Sequence, residues 1–310
     1  MSLVVVGTLG FDTVETPFGR RDDTLGGSAS FLGTAASYFT PVQMVGVVGE
    51  DFPEEHLDFY RSRNIDTSGV EKLPGKTFRW HGFYDTNLGV AKSLETQLNV
   101  LESFDPTLPS EYRSARYAVL GNIAPELQSK VLDQLDSPQL VAADTMNFWI
   151  EGSNAALKKT LKRVDILSIN DGEARQLSGE YNLVKAAEAI RAMGPKILVI
   201  KRGEHGATIF TNETIFMAPA YPILTIKDPT GAGDSFAGGM MGYIARRDEV
   251  NDDILRQAVI MGSTLASFAV EDFSLDRFRR LTEDEVRLRF SEFKNLTYFE
   301  AHGTKIWDEH

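Results

Sequence analysis

The fold of this 310-residue chain is decided by the stretch Asp228-Pro229-Thr230-Gly231-Ala232-Gly233-Asp234-Ser235-Phe236. It follows an apolar run, Ile223–Ile226, that predicts a strand, and it precedes a small-residue helix predicted over Phe236–Arg246. The two glycines allow unusual backbone dihedrals and a close approach to a ligand. The first turn of the following helix directs unpaired N–H groups to the same point. The stretch therefore predicts a cradle for an anion, of which the charge on a transferring phosphoryl group is the first candidate.

Asp234 is the second chemical signal in this stretch. A carboxylate at the end of an anion cradle opposes anion binding, so we interpret Asp234 as a base that accepts the proton of an attacking hydroxyl. A second interpretation needs no chemistry, because an aspartate in the first turn of a helix is stabilised by the helix dipole. The stretch alone leaves both open.

Short β-branched runs alternate with amphipathic segments along most of the chain. This alternation predicts a parallel sheet covered by helices on both faces, a doubly wound α/β/α sandwich. The predicted strands are Leu3–Val6, Gln43–Val48, Tyr117–Leu120, Leu140–Ala143, Ile166–Ile169 and Ile197–Ile200. The predicted helices include Ser30–Tyr38, Glu54–Arg61, Glu126–Leu135, Asn154–Leu161 and Val184–Met193.

Two segments interrupt the alternation. Residues 11–21 lack helical periodicity, and residues 76–101 alternate like exposed strands. We expect them to form a small β-sheet lid outside the core. Because no linker or internal repeat is visible, we predict one domain over residues 1–310, with the lid as a subdomain.

The composition excludes several classes of function. The net charge of −12 argues against binding to nucleic acid or to an anionic membrane surface. The chain has no cysteine, which excludes disulfides, thiolate zinc sites and cysteine nucleophiles. No apolar run approaches the ~20 residues of a membrane helix, and no signal peptide is visible. We therefore expect a cytoplasmic protein.

The stretch from Asp228 to Phe236 closely resembles the C-terminal signature of the ribokinase-like, or PfkB, family of carbohydrate and nucleoside kinases. The resemblance implies a ribokinase-like fold that uses ATP and Mg²⁺. It assigns the anion hole to Gly231, Ala232 and Gly233, and the catalytic base to Asp234. Asp228 corresponds to an acidic position near a monovalent-cation site. Because Pro229 replaces a common threonine, dependence on K⁺ stays open.

Further landmarks place the phosphoryl acceptor near the N-terminus. Val4–Gly7 followed by Asp12 resembles the family's first strand and its substrate-binding aspartate, a carboxylate suited to two neighbouring sugar hydroxyls. Gly26 and Gly27 resemble the hinge between lid and core. Phe31 stands where many sugar kinases of the family have a substrate-contacting asparagine, which implies a differently shaped acceptor pocket.

The nucleotide side of the site is implied by three other segments. Asn170 and Glu173 resemble the family's N-x-x-E motif, which organises Mg²⁺, often through water; the same pair is also a helix cap with its capping box. A turn containing Lys201, Gly203 and Gly206 resembles one near the nucleotide phosphates. Gly262 lies in a helix, predicted from Ala258 to Val270, that corresponds to a wall of the adenine pocket.

We therefore predict an ATP-dependent kinase that phosphorylates the hydroxymethyl group of a furanose-type acceptor. Sugar and ribonucleoside stay open, because Phe31 and the lid aromatics Phe78, Trp80 and Phe83 suit either base stacking or packing. A homodimer through the lid is a further expectation. Two other classes of function stay open. One is a non-catalytic nucleotide sensor, and the other is a Rossmann dehydrogenase, whose glycine fingerprint is incomplete after Gly7-Thr8-Leu9-Gly10.

Overall fold

A nine-stranded sheet forms the centre of the computed structural model, which describes residues 2–89 and 91–298. The described strands are β1 (Leu3–Val6), β2 (Gly10–Thr16), β3 (Gly19–Gly26), β4 (Val42–Gly49), β5 (Ile65–Leu73), β6 (Phe78–Phe83), β7 (Lys92–Gln97), β8 (Tyr117–Leu120), β9 (Leu140–Ala143), β10 (Ile166–Asn170), β11 (Ile197–Lys201), β12 (Ala207–Phe210) and β13 (Ile215–Ala218). The order in the central sheet is β13-β12-β11-β10-β9-β8-β1-β4-β5. Strands β11 to β5 in this order are parallel, and β12 pairs antiparallel with both of its neighbours.

Helices cover both faces of this sheet, because each buried strand presents apolar side chains to both sides. In β1, Leu3 and Val5 belong to one apolar cluster, whereas Val4 and Val6 belong to the other. The helices are α1 (Ser28–Ala36), α2 (Glu54–Ser62), α3 (Pro125–Leu132), α4 (Asn147–Gly152), α5 (Asn154–Leu161), α6 (Asp171–Ser178), α7 (Leu183–Arg191), α8 (Ala232–Arg247), α9 (Asp252–Ala269), α10 (Asp276–Arg280) and α11 (Glu283–Thr297). The first cluster includes residues of α1, α8 and α9, and the second includes residues of α3, α5 and α7. The predicted doubly wound sandwich is confirmed.

A second, four-stranded sheet stands outside this core, with strand order β3-β2-β6-β7. Strands β2 and β6 are parallel, and the two outer strands are antiparallel to their neighbours. The sheet uses both segments that the sequence assigned to a lid, and β3 extends the first of them to Gly26. Its action as a lid stays a prediction.

Because the strands from β11 to β5 in the central sheet are parallel, their carboxyl ends lie on one side of this sheet. Strand order reverses at β1, which lies between β4 and β8, and ligands of such sheets bind beyond the carboxyl ends at this point. Gly7, Gly121 and Asp144 directly follow β1, β8 and β9, while Asn170 and Lys201 end β10 and β11. These residues therefore lie together at the carboxyl ends of the parallel strands.

The predicted strand over Ile223–Ile226 is wrong. Residues 219–229 form neither helix nor strand, and Leu224 is fully exposed rather than buried. Pro219 and Pro222 have no N–H to donate to a strand partner, so the segment cannot extend the sheet through these positions. Within the described residues, no helix is both long and apolar enough to cross a bilayer.

Small residues of α8 allow close contact with α1. A Cβ on Gly238 would lie 2.3 Å from the carbonyl oxygen of Leu32, and one on Gly242 would lie 2.8 Å from Ala36. Such distances require the helices to move apart. Helix α8 also begins at Ala232, four residues before the predicted start, so the glycine-rich stretch is part of its first turn.

We expect Gly238→Ala to destabilise the protein by about 1–3 kcal/mol, because the added methyl group overpacks the contact between α1 and α8. Urea unfolding would measure the change. Gly152→Ala is the matched control, because a Cβ there meets nothing within 4 Å and alanine favours the helix. Equal losses in the two variants would contradict this account of α8.

Candidate active site

The first turn of α8 is shaped by a glycine that no other residue can replace without strain. Gly231 has a φ of +73°, and a Cβ there would lie 2.3 Å from the ring of Phe31. No side chain caps the helix. Among the described residues, the amides of Gly233 and Asp234 have no backbone or side-chain acceptor. The turn therefore presents free N–H donors, as an anion hole requires.

Asp234 lies in this turn, and its carboxylate has no hydrogen-bond partner within the described part of the chain. Burial raises the pKa of this carboxyl, and the charges of Asp144, Asp12 and Glu173 add to the increase, while Lys201 opposes it. The oxygens of Asp234 are therefore free to accept a proton, and they lie close enough to these four charged groups to be affected by them.

Lys201 is held beside the same turn by Asp144. Its Nζ lies 3.1 Å from Asp144 Oδ2, and both side chains are largely buried. The same Nζ lies 3.1 Å from the position of a Cβ on Gly233. Burial disfavours the charged lysine, but Asp144, Glu173 and Asp234 together raise the pKa of Lys201. Lys201 is thus held in its charged form beside Gly233, in the loop Asp228–Asp234 that we call the anion loop.

The sequence analysis missed Asp144. Its main chain is fixed at the end of β9, because Gln128 Nε2 donates to its carbonyl oxygen at 2.9 Å. Its Oδ1 accepts the N–H of Thr145 at 2.7 Å, which leaves Oδ2 for Lys201. An acid directly after a buried central strand is the signal that would have found it.

Glu173 forms the capping box, one of the two interpretations of its motif, whereas its role at Mg²⁺ stays a prediction. Its Oε2 accepts the N–H of Asn170 at 2.8 Å, and Asn170 Oδ1 accepts the N–H of Glu173 at 2.8 Å, so the capping box is present. The residue is nevertheless only 8% exposed and belongs to the charge cluster. Burial and the charge of Asp144 raise the pKa of Glu173 to about 7, although Lys201 lowers it.

The donor set fits Mg²⁺ bound together with phosphate. Within residues 2–89 and 91–298, no three carboxylates or histidines form a metal cluster. Mg²⁺ commonly takes only one or two carboxylates and completes its shell with phosphate oxygens and waters. Asp144 and Glu173 supply two carboxylates whose mutual repulsion a divalent cation would relieve.

Asp12 occupies a space that only glycine leaves open. It lies in β2 and is 5% exposed, and its carboxylate accepts the N–H of Gly27. A Cβ on Gly26 would lie 2.1 Å from Asp12 Oδ2, and one on Gly27, where φ is +89°, would lie 2.4 Å from the carbonyl oxygen of Thr8. Burial and the nearby Asp228 raise the pKa of Asp12 to about 7.

Asp228 is 1% exposed and accepts two main-chain donors. The N–H of Thr230 lies 2.8 Å from Oδ1, and the N–H of Ser274 lies 3.2 Å from Oδ2. Asp228 thereby joins the start of the anion loop to the segment after α9. Its part in binding K⁺ stays a prediction.

The other predicted positions have mainly structural surroundings. Phe31 is 1% exposed and lies beneath Gly231, so its predicted contact with the acceptor stays a prediction. Gly203 and Gly206 have positive φ in the turn after β11, where a Cβ on Gly206 would lie 2.0 Å from a carbonyl oxygen of β13. Gly262 is buried against Phe236 in the contact of α9 with α8. The nucleotide contacts of these three glycines stay predictions.

Comparison with known proteins gives concordant results. The family model of the pfkB family carbohydrate kinases matches residues 21–277. A cytidine kinase of Thermococcus kodakarensis is 33% identical over 252 residues, which are 79% of this chain and 89% of that protein. A Burkholderia thailandensis nucleoside kinase, solved with inosine, has a TM-score of 0.75 at 18% identity, covering 94% of this chain and 99% of that one. A ribokinase II from E. coli, solved with ATP and Mg²⁺, has a TM-score of 0.74 at 18% identity, covering 94% and 99%.

The raised pKa of Asp12 predicts that stability falls as the pH rises from about 4 to about 7. In this range the folded protein keeps a proton that the unfolded chain, with a pKa of 3.8 at this residue, has released. The difference between the two pKa values of Asp12 corresponds to a loss of as much as about 4 kcal/mol in the free energy of unfolding. Asp12→Asn removes this contribution, so its free energy of unfolding, measured with urea at several pH values, should decline less steeply.

The control is Asp253→Asn, which changes an exposed aspartate in α9. Its free energy of unfolding should fall with rising pH as steeply as that of the unmodified protein. Asp234 and Glu173, whose pKa values are also raised, should leave part of the slope in Asp12→Asn. Parallel curves for Asp12→Asn and the unmodified protein would show that Asp12 is not held protonated.

Proposed function

This chain belongs to the pfkB family of carbohydrate kinases and is a kinase of that family, and we propose that it transfers the γ-phosphoryl group of ATP to the hydroxymethyl group of a ribonucleoside. The observation that carries the proposal is the carboxylate of Asp234, which has no hydrogen-bond partner among the described residues and lies beside unbonded amides, near the charges of Lys201 and Asp12. A base, an anion hole and a cation there suit transfer from a phosphate to a hydroxyl.

The acceptor is held by Asp12 in this proposal. A carboxylate accepts hydrogen bonds from two neighbouring ribose hydroxyls, and a partly protonated one at neutral pH loses its proton when such donors arrive. The hydroxymethyl group then lies near Asp234, which accepts its proton as the oxygen attacks phosphorus. Because the charge of Asp12 contributes to raising the pKa of Asp234, we place the two groups close enough for one small acceptor to reach both.

The donor side is organised by Lys201, Asp144 and Glu173. Kinases of this family use ATP with Mg²⁺, and the ion neutralises phosphate charge. We place it beside Asp144 and Glu173. Lys201 adds a fixed positive charge next to Gly233, where the γ-phosphoryl group would meet the amides of α8. The arriving nucleotide phosphates compete with Asp144 for this lysine.

The second sheet is proposed to close over the acceptor. It carries Asp12 in β2, so its position and the position of the acceptor are linked. Closure would exclude water from the site and so limit the hydrolysis of ATP.

The outer strand β7 of the second sheet is exposed at all six residues, which supports the expected homodimer through the lid. A measurement of the molecular mass in solution would test this prediction.

A nucleobase is favoured over a free sugar by the similarity to a cytidine kinase, and we propose that it stacks on an exposed aromatic side chain of α4. Phe148 is 63% exposed and lies four residues after Asp144, in α4. Its neighbour Trp149 donates from Nε1 to Asn122 Oδ1 at 2.9 Å, which ties α4 to the end of β8. The rings of Phe148 and Trp149 meet edge to face at 4.8 Å. A base stacked on Phe148 would cover the exposed ring.

Asp234→Asn should reduce kcat by at least ~10²-fold, because the variant keeps the shape of the side chain but cannot accept the hydroxyl proton. Steady-state kinetics would measure the loss, and the thermal shift produced by ATP should remain. Asp253→Asn, in the first turn of α9, tests the same substitution at an equivalent helix position and should be fully active. Undiminished turnover in Asp234→Asn would remove Asp234 as the base.

The acceptor is tested by product mass in a panel of cytidine, other ribonucleosides, ribose and fructose, each with ATP and Mg²⁺. We expect a ribonucleoside to exceed ribose in kcat/KM by about tenfold, the equivalent of one good aromatic contact. Preference for a free sugar would assign the enzyme to sugars. Absence of product with every acceptor would favour the non-catalytic sensor.

In the same panel, Phe148→Ala should raise KM for the preferred nucleoside by about 3–10-fold and leave the kinetics with ribose unchanged. Tyr181→Ala removes an aromatic ring that is 87% exposed outside the site, and should change neither. An unchanged nucleoside KM in Phe148→Ala would place the base elsewhere.

A further inference from the structure

Tyr84 joins the second sheet directly to the anion loop. Its N–H donates to the carbonyl oxygen of Glu15 at 2.8 Å, so its main chain continues the pairing of β6 with β2. Its hydroxyl oxygen accepts a hydrogen bond from Thr230 Oγ1 at 3.2 Å. Thr230 immediately precedes Gly231, and its own N–H binds Asp228. One side chain therefore spans from the second sheet to the residue that precedes the predicted anion hole.

Packing around Tyr84 reinforces the same connection. The side chain is 7% exposed and forms a small apolar cluster with Val14 of β2 and Phe273. Phe273 immediately precedes Ser274, whose N–H donates to Asp228. The second sheet thus contacts both segments that are tied together by the Asp228 carboxylate.

The hydroxyl of Tyr84 is neutral in these surroundings. Burial raises its pKa, the hydrogen bond from Thr230 lowers it, and the charges of Asp228, Asp12 and Asp234 raise it further. The three carboxylates show that the ring reaches the centre of the site. A neutral hydroxyl there exchanges hydrogen bonds but does not act as a base.

We propose that Tyr84 is a positioning residue that couples closure of the lid over the acceptor to the alignment of the anion hole. Asp12 lies in β2, and Tyr84 directly follows β6 of the same sheet and bonds to Glu15 of β2. An acceptor held by Asp12 therefore fixes the sheet, and the sheet fixes Thr230 through Tyr84. The amides of Gly233 and Asp234 follow Thr230 in the chain. The inference rests on the proposed function, because it assumes that the acceptor binds at Asp12.

Tyr84→Phe tests the coupling, because it keeps the ring in its apolar cluster and removes only the hydroxyl. One lost hydrogen bond predicts a fall in kcat of about 2–10-fold. KM for the acceptor should change less than twofold, and the hydrolysis of ATP without acceptor should not change. The ratio of transfer to hydrolysis should therefore fall with kcat. An unchanged ratio in an otherwise active enzyme would overturn the proposal.

A double-mutant cycle with Thr230→Val identifies the route. If the hydrogen bond carries the coupling, Tyr84→Phe with Thr230→Val should be no slower than the slower single variant. Losses that multiply would overturn the proposal, because the two side chains would then act separately.

Tyr112→Phe is the matched control. Tyr112 is fully buried and donates from its hydroxyl to the carbonyl oxygen of Asp66 at 3.2 Å, on the edge strand β5. The variant should lose stability without any change in the ratio of transfer to hydrolysis. A fall in this ratio equal to that of Tyr84→Phe would assign the effect to stability alone and overturn the proposal.

A substrate-independent measurement separates this inference from the proposed function. Amide hydrogen exchange in the free enzyme should accelerate about 2–10-fold at the hydrogen-bonded amides of Thr230 and Ala232 in Tyr84→Phe, and not in Tyr112→Phe. Unchanged exchange would overturn the positioning role even if the kinase phosphorylates a nucleoside. Faster exchange in an enzyme without activity on the panel would support the contact and refute the acceptor assignment.

Discussion

The contact between Gly231 and the ring of Phe31 determines where α8 begins, and the site depends on that position. Gly231 turns into a left-handed conformation over the ring, and any Cβ would overlap it. The turn leaves the amides of Gly233 and Asp234 without an acceptor among the described residues. Leu32, the next residue of α1, contacts Gly238 of α8 through its carbonyl oxygen. The two helices are thus joined at the active site and along their length by glycines.

The second constraint is electrostatic. The charges of Asp144, Asp12 and Glu173 all raise the pKa of Asp234, whereas the cation Lys201 lowers it. The pKa values of Asp12, Glu173 and Asp234 are raised because burial and mutual repulsion disfavour their charged forms. Folding therefore concentrates negative charge that the protein alone does not neutralise. A ligand that brings a divalent cation and hydroxyl donors would relieve this repulsion, so binding of such a ligand and ionisation of Asp234 would favour each other.

Much of the fold and part of the site followed from local sequence patterns. Buried strands such as Leu3–Val6 and Leu140–Ala143 were predicted, because a fully apolar run of four residues between turns suits a strand covered on both faces. The capping box of Asn170 and Glu173 was also visible, since it is a contact between residues three apart. The prediction of a strand over Ile223–Ile226 was wrong, because β-branched residues favour an extended chain but do not specify a strand with which it pairs.

The sequence by itself determined the turn at Gly231, the acid at its end and the alternation that builds a parallel sheet, because each depends on neighbours in the chain. Only the tertiary structure decided that Asp144 holds Lys201 beside Gly233, that Gly26 makes room for Asp12, and that Tyr84 reaches Thr230. These contacts join residues separated by 14 to 146 positions, and their distances depend on how strands and helices pack. Local patterns specify which groups are present, whereas packing specifies which of them meet.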